Sequence, residues 1–187
     1  MPDAPRNAPP KATRDKPGLV ILHTGDGKGK TTAALGLGLR AAGNGMGVCM
    51  VQFIKGKWRC GEHHAVEPFG AVFEIHPMGD GFTWDTQDRE ADIARVREGW
   101  DLAMAKANSG DYRMLILDEL LYVLSYDYFP LAEVLAFLDA RPTDLHVVMT
   151  GRNPPQELID AADLVTEMVA VKHPYQSGIK AQRGIEF

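Results

Sequence analysis

Residues 19–32 read LVILHTGDGKGKTT. Leu19–His23 is a short apolar run that leads straight into a glycine-rich turn. The turn opens a helix-forming stretch from Lys30 to Ala42, which Gly43 ends. A phosphate-binding loop needs this context, with glycine, four residues and then Gly-Lys-Ser/Thr between a strand and a helix. Gly29-Lys30-Thr31 fits, while Thr24 holds the place of the first glycine, so the strict pattern misses by one residue. The physics survives the miss. Gly25, Gly27 and Gly29 let the backbone wrap with its N–H groups pointing inward, and the helix N-terminus adds partial positive charge. Lys30 neutralises phosphate oxygens, Lys28 adds a second cation, and the Thr31 hydroxyl is placed to ligate Mg²⁺. Asp26 and Thr32 complete the loop. A merely flexible glycine turn would not be expected to join an apolar strand to a helix.

Working outward, Gly47–Ile54 (GVCMVQFI) is a second buried-strand candidate, and Ala71–Ile75 a third. Residues 55–70 are polar and punctuated by Gly and Pro, and 77–87 (PMGDGFTWDTQ) read as a loop. Ile93, Val96, Trp100, Met104 and Ala107 carry helical spacing over 88–108, with Asp85 or Thr86 as the expected cap. Met114–Leu117 is an apolar strand ending in Asp118-Glu119. Pro130 opens another helix, Leu145–Thr150 is a strand, Pro154-Pro155 starts a helix, and a last short strand falls near Leu164–Val169. Apolar strands alternating with helices predict an α/β fold: one three-layer phosphate-loop domain with a mainly parallel sheet. Ligands of such sheets sit at the carboxyl ends of the strands, where loops 24–30, 118–122 and 150–153 meet.

The acids after the fourth strand are a second signal. Alone, a strand ending in carboxylates is weak. Beside a phosphate loop it supplies the oxygen ligands that Mg²⁺ requires with the Thr31 hydroxyl. Asp118 and Glu119 alternate in direction, and the pattern does not choose between them. Phe82 and Trp84 form a third signal. Two apart in an extended segment, they point to the same side, and they read either as a satellite cluster over the sheet or as a platform for a large flat ligand. Arg152, in the turn Thr150-Gly151-Arg152, reaches a phosphate or pairs with a surface acid. Lys172, His173, Lys180 and Arg183 either line the cleft or are solvated. His63-His64, beside Cys60 and Glu62, match no tetrahedral zinc spacing and read as a solvated loop. Cys49 reads as a small core residue.

Composition bounds the rest. The 187 residues are 45% hydrophobic, and 20 basic against 25 acidic residues leave a formal net charge of −5. That balance argues against nonspecific nucleic-acid binding, which needs a basic surface. No apolar run approaches the roughly 20 residues of a membrane span, and two cysteines make no secreted scaffold. The expectation is a soluble, cytoplasmic protein with one domain over 18–187. Residues 1–17, with five prolines and four basic residues, read as an arm that is disordered when free or orders over a bound ligand.

TGDGKGKTTAALG, VQFIKG, GFTWDTQ, LDEL with YDY shortly after, TGR and the tail VKHPYQSGIKAQRGIEF together resemble the ATP:corrinoid adenosyltransferases of the phosphate-loop type. These are also called cob(I)alamin or cobyrinic acid a,c-diamide adenosyltransferases. The resemblance runs from Gly18 to Phe187. The phosphate loop is shared with many NTPases, whereas GFTWDTQ and the tail are far more specific. It implies a homodimer with a six-stranded, RecA-like parallel sheet, and transfer of the 5′-deoxyadenosyl group of ATP to Co(I) of a corrinoid with release of triphosphate. It also implies that Gly25–Thr32 hold the triphosphate, that Thr31 and Glu119 help bind Mg²⁺ (or Mn²⁺), that Phe82 and Trp84 face the corrinoid, and that a flavoprotein acts as reductant. The resemblance further implies a nucleotide that lies reversed relative to ordinary phosphate-loop enzymes. Asp26 departs from the asparagine expected in the family, and the proline-rich arm argues against a helical lid. The rival readings from the residues alone are a kinase or NTPase cleaving the γ-phosphate and a nucleotide-gated binding module.

Overall fold

A computed structural model describes residues 17–56, 60–79 and 88–186. In chain order it contains β1 (Val20–Thr24), α1 (Lys30–Ala42), β2 (Val48–Gln52), α2 (Gly61–Val66), a 3₁₀ segment (Glu67–Val72) and β3 (Phe73–Pro77). There follow α3 (Arg89–Asn108), β4 (Met114–Asp118), α4 (Leu120–Ser125), α5 (Leu131–Ala140), β5 (His146–Thr150), α6 (Gln156–Ala161) and β6 (Leu164–Glu167). A 3₁₀ turn at Pro174–Ser177 lies in the tail.

The six strands form one sheet in the order β3-β2-β4-β5-β1-β6, and every neighbouring pair is parallel. The central strands β1, β2 and β4 are buried at every position. That is why they carry apolar residues on both faces and no alternation. Alternate residues nevertheless go to different cores. Val20, Leu22, Cys49, Val51, Leu115 and Leu117 pack with α3, α4, α5 and α6. Ile21, Val48, Met50, Met114 and Ile116 pack under Ala34, Ala41 and Ala42 of α1. The result is three layers, with β5 alone between the phosphate-loop strand β1 and the acidic strand β4.

The period of two has a consequence at the carboxyl ends. Gln52 and Asp118 are register partners, as are His23 and Thr150, and counting by twos puts all four on the α1 face. A polar layer thus caps the apolar core beneath the first turn of α1.

Several boundaries differ from expectation. Asp88 caps α3, its side chain accepting from the Ala91 N–H, in place of Asp85 or Thr86. The capping carboxylate lies next to the helix it serves. The third strand starts at Phe73, because Ala71 and Val72 complete the 3₁₀ segment. The polar stretch 55–70 contains α2, whose helical nature its short length hid. Residues 118–122 are mostly the start of α4, with the turn confined to Glu119 in left-handed conformation (φ 64). The arm, apart from Pro17, together with Phe82 and Trp84, lies outside the described residues. Among the described residues no helix is long and apolar enough to cross a membrane.

Candidate active site

The phosphate loop leaves β1 through Gly25 (φ 95) and enters α1 through Gly29 (φ 114), both conformations that a side chain disfavours. Its outer wall is the chain just beyond β6. The Met168 N–H donates to the Thr24 carbonyl (2.8 Å), and the Gly27 N–H donates to the Met168 carbonyl (2.6 Å). A Cβ on Gly27 would stand 2.6 Å from that carbonyl oxygen, so glycine is required there by contact. The Gly27 amide is therefore committed to the protein.

Lys30 folds back over the loop, its Nζ donating to the carbonyls of Gly25 (2.7 Å) and Gly27 (2.8 Å). Burial draws the Lys30 ammonium below its usual range, and nearby Arg152 pushes the same way. Lys28 pairs with Glu186 of the tail. Arg152 sits by the loop, its Nε 3.5 Å from the Asp26 carboxylate. All three cations face one cleft of about 590 Å³, shared with Thr31, Thr32 and Glu119. His173, Gly184 and Ile185 of the tail also line it, so the tail's cleft-lining reading holds for His173.

The two acids have different surroundings. Asp118 is fully buried. Its Oδ1 accepts from Thr31 Oγ1 (2.9 Å) and Thr150 Oγ1 (2.7 Å), and its Oδ2 accepts from Gln52 Nε2 (3.2 Å). Glu119 lines the cleft, and its Oε2 is buried without a hydrogen-bond partner. Burial first, and then the neighbouring Asp118 carboxylate, push the Glu119 carboxyl up to about 7. An orphaned carboxylate oxygen in a cleft that also presents a threonine hydroxyl fits a divalent cation, which takes hard oxygen donors. Thr31 uses its proton on Asp118, which leaves its lone pairs for the cation. A divalent cation held there would supply charge to neutralise bound phosphates.

Some residues that shape the site escaped the sequence reading. Lys55 lies between Glu62 (3.0 Å) and Asp118 (3.9 Å). Those carboxylates keep the Lys55 ammonium above its usual range against the effect of burial. Gln52 and Thr150 carried a readable signal, each being a polar last residue that follows an apolar run in its strand. His63 corrects an expectation. It is buried inside α2, with Nε2 2.8 Å from Gln52 Oε1, whereas its neighbour His64 is exposed. Among the described residues no group of three or more His, Cys, Asp or Glu is arranged to hold a metal. Cys49 is buried, and burial pushes its thiol up to about 12, so it is inert core.

Residues 16–187 match the family model described as ATP:corrinoid adenosyltransferase BtuR/CobO/CobP. A corrinoid adenosyltransferase of Sinorhizobium sp is 47% identical over 175 residues, 92% of this chain and 82% of that protein. One from Escherichia coli K12 is 47% identical over 93% of this chain and 88% of its own length. The Salmonella typhimurium corrinoid adenosyltransferase CobA is 45% identical with the same coverage. Among solved structures, that of the RadB recombinase aligns with a TM-score of 0.46 at 17% identity, over 81% of this chain and 74% of that one.

Proposed function

This chain belongs to the ATP:corrinoid adenosyltransferase family, and from that membership we propose that it transfers the 5′-deoxyadenosyl group of ATP to the Co(I) of a corrinoid, with triphosphate as leaving group. The corrinoid is cobyrinic acid a,c-diamide or cobalamin. The cobalt electron pair attacks C5′ of the ribose, the Co–C bond forms as the C5′–O bond breaks, and the leaving oxygen departs with the triphosphate. The metal of the substrate is itself the nucleophile, so the protein needs no general base. Its work is to hold C5′ in line and to stabilise charge on the departing phosphates.

The observation that carries this reading is the cleft beside the phosphate loop, where Lys28, Lys30 and Arg152 gather with Thr31 and Glu119. Gly25–Thr32 hold the triphosphate, with Lys28, Lys30 and Arg152 over its oxygens. Thr31 and Glu119 face Mg²⁺ (or Mn²⁺), while Asp118 orients the Thr31 hydroxyl. Phe82 and Trp84 face the corrinoid. Neither gives cobalt a good axial ligand, so pressing on the corrin face they displace the lower ligand without replacing it and ease reduction of Co(II). The proposal places the reaction in one domain, 18–187, working as a homodimer and supplied with electrons by a flavoprotein.

Incubation with ATP, Mg²⁺ and chemically reduced corrinoid tests it. Triphosphate and a light-sensitive Co–C product are expected. ADP with phosphate would make the protein a γ-phosphate-cleaving enzyme instead, and unchanged ATP would make it a binding module.

A further inference from the structure

A chain of hydrogen bonds runs from α2 to the first turn of α1, and its direction is fixed at one end by the backbone. The Cys60 N–H donates to His63 Nδ1 at 3.1 Å. His63 is the third residue of α2 and returns this bond to the residue before the helix, the role that Glu or Gln plays in a capping box. A backbone amide can only donate, so Nδ1 is the acceptor and the neutral ring carries its proton on Nε2. That nitrogen lies 2.8 Å from Gln52 Oε1. The Gln52 amide therefore cannot turn over without setting its own NH₂ against the imidazole N–H. Held this way, it donates from Nε2 to Asp118 Oδ2 (3.2 Å). Asp118 then accepts on its other oxygen from Thr31 Oγ1 (2.9 Å). Gln52 and Asp118 are fully buried and His63 is 9% exposed, so water does not readily substitute along the chain.

We propose that His63 is a positioning residue for the metal end of the site: through Gln52 it fixes the Asp118 carboxylate, and with it the direction in which Thr31 offers its lone pairs. The inference rests on the reading of Thr31 and Asp118 given above. Without His63 the Gln52 amide is free to rotate. Its carbonyl then faces Asp118 oxygen to oxygen, and the carboxylate shifts away from Thr31. Groups that orient a metal ligand from behind change metal affinity by about 10–100-fold.

The test is Mn²⁺ binding to the protein–ATP complex, followed by electron paramagnetic resonance, with ATP binding measured separately without metal. His63→Phe keeps the ring's bulk and removes both nitrogens. It is expected to raise the Mn²⁺ half-saturation concentration about tenfold and to leave metal-free ATP binding unchanged. Gln52→Leu is expected to do the same, and the double variant no more than either single change, since the two act through one path. His63→Gln returns an N–H donor toward Gln52 and should recover most of the affinity. A His63→Phe curve that overlays the wild type, or losses that add in the double variant, would overturn the proposal. Absence of Mn²⁺ binding in the wild-type complex would remove the metal reading itself and this inference with it. Imidazole ¹⁵N NMR of the unaltered protein needs no variant to fold: the proton on Nε2 is expected, and a proton on Nδ1 would overturn the assignment.

Discussion

Two carboxylates adjacent in sequence, Asp118 and Glu119, have unlike environments, and the difference divides their labour. Every oxygen of Asp118 that the fold can reach is taken by a donor, whereas Glu119 keeps one oxygen without a partner. Glu119→Gln retains the shape and removes the charge that a hard cation prefers. It is expected to raise the Mg²⁺ concentration needed for half-saturation by about tenfold or more, the scale of one charge-assisted contact, while ATP binding in the absence of metal holds. A Mg²⁺ titration of the variant checks this. The alternation rule gave the pair its opposite directions, but only the left-handed turn at Glu119 and the donors around Asp118 distinguish them. Those donors come from residues distant in sequence, which is why the pair was legible and its assignment was not. His23 is a second case. It is 6% exposed with neither ring nitrogen hydrogen-bonded, and burial holds its pKa below 6.5. As pH falls, the unfolded chain takes the proton first, so stability is full above about 6.5 and declines below it toward the depressed folded value. His23→Phe should flatten that decline, read as the slope of melting temperature between pH 7 and 5. His146, whose pKa burial also lowers, retains its own share of the slope.

At the scale of elements, the apolar runs of β1, β2, β4 and β5 were readable because a strand buried on both faces has almost no freedom in composition. Short α2 was not. Six residues, GEHHAV, are too few to show a helical period, and its N-terminus is closed by Cys60 and His63, outside the usual capping vocabulary. The phosphate loop was readable from its glycines, yet what constrains Gly27 is the chain following β6, which no local pattern announces. Gly27→Ala would drive a methyl to within 2.6–2.8 Å of the Met168 carbonyl and the Val169 backbone. It is expected to destabilise the fold by about 1–3 kcal/mol, the range of local overpacking, and to lower the melting temperature by about 2–12 °C. ATP affinity should fall with it, because the loop and its clamp move together. Differential scanning calorimetry with and without ATP reads both effects.

Over the whole molecule, a net charge of −5 coexists with a local cationic site, since Lys28, Lys30 and Arg152 line one cleft. Part of that site is satisfied internally, since Glu186 of the tail holds Lys28. A triphosphate drawing on Lys28 must part them. Glu186→Ala should therefore tighten ATP binding modestly, by about 1.5–5-fold, the equivalent of the 0.2–1 kcal/mol of a solvent-accessible ion pair, and calorimetric titration at low and high salt would show the gain shrinking with salt. The tail was legible as a basic segment that either lines the cleft or is solvated. Its fold-back depends on contacts between residues 158 positions apart, beyond any periodic signal. The strand order carries one more consequence. Among the described strands β6 pairs only with β1, and Met168 just beyond it closes the phosphate loop, so a motif that follows the first of these strands is completed by a segment that follows the last of them. The glycine motif therefore emerges from the ribosome before the segment whose carbonyl holds the Gly27 amide. A product terminated before Met168 would carry the glycine motif without the clamp that Met168 gives its loop.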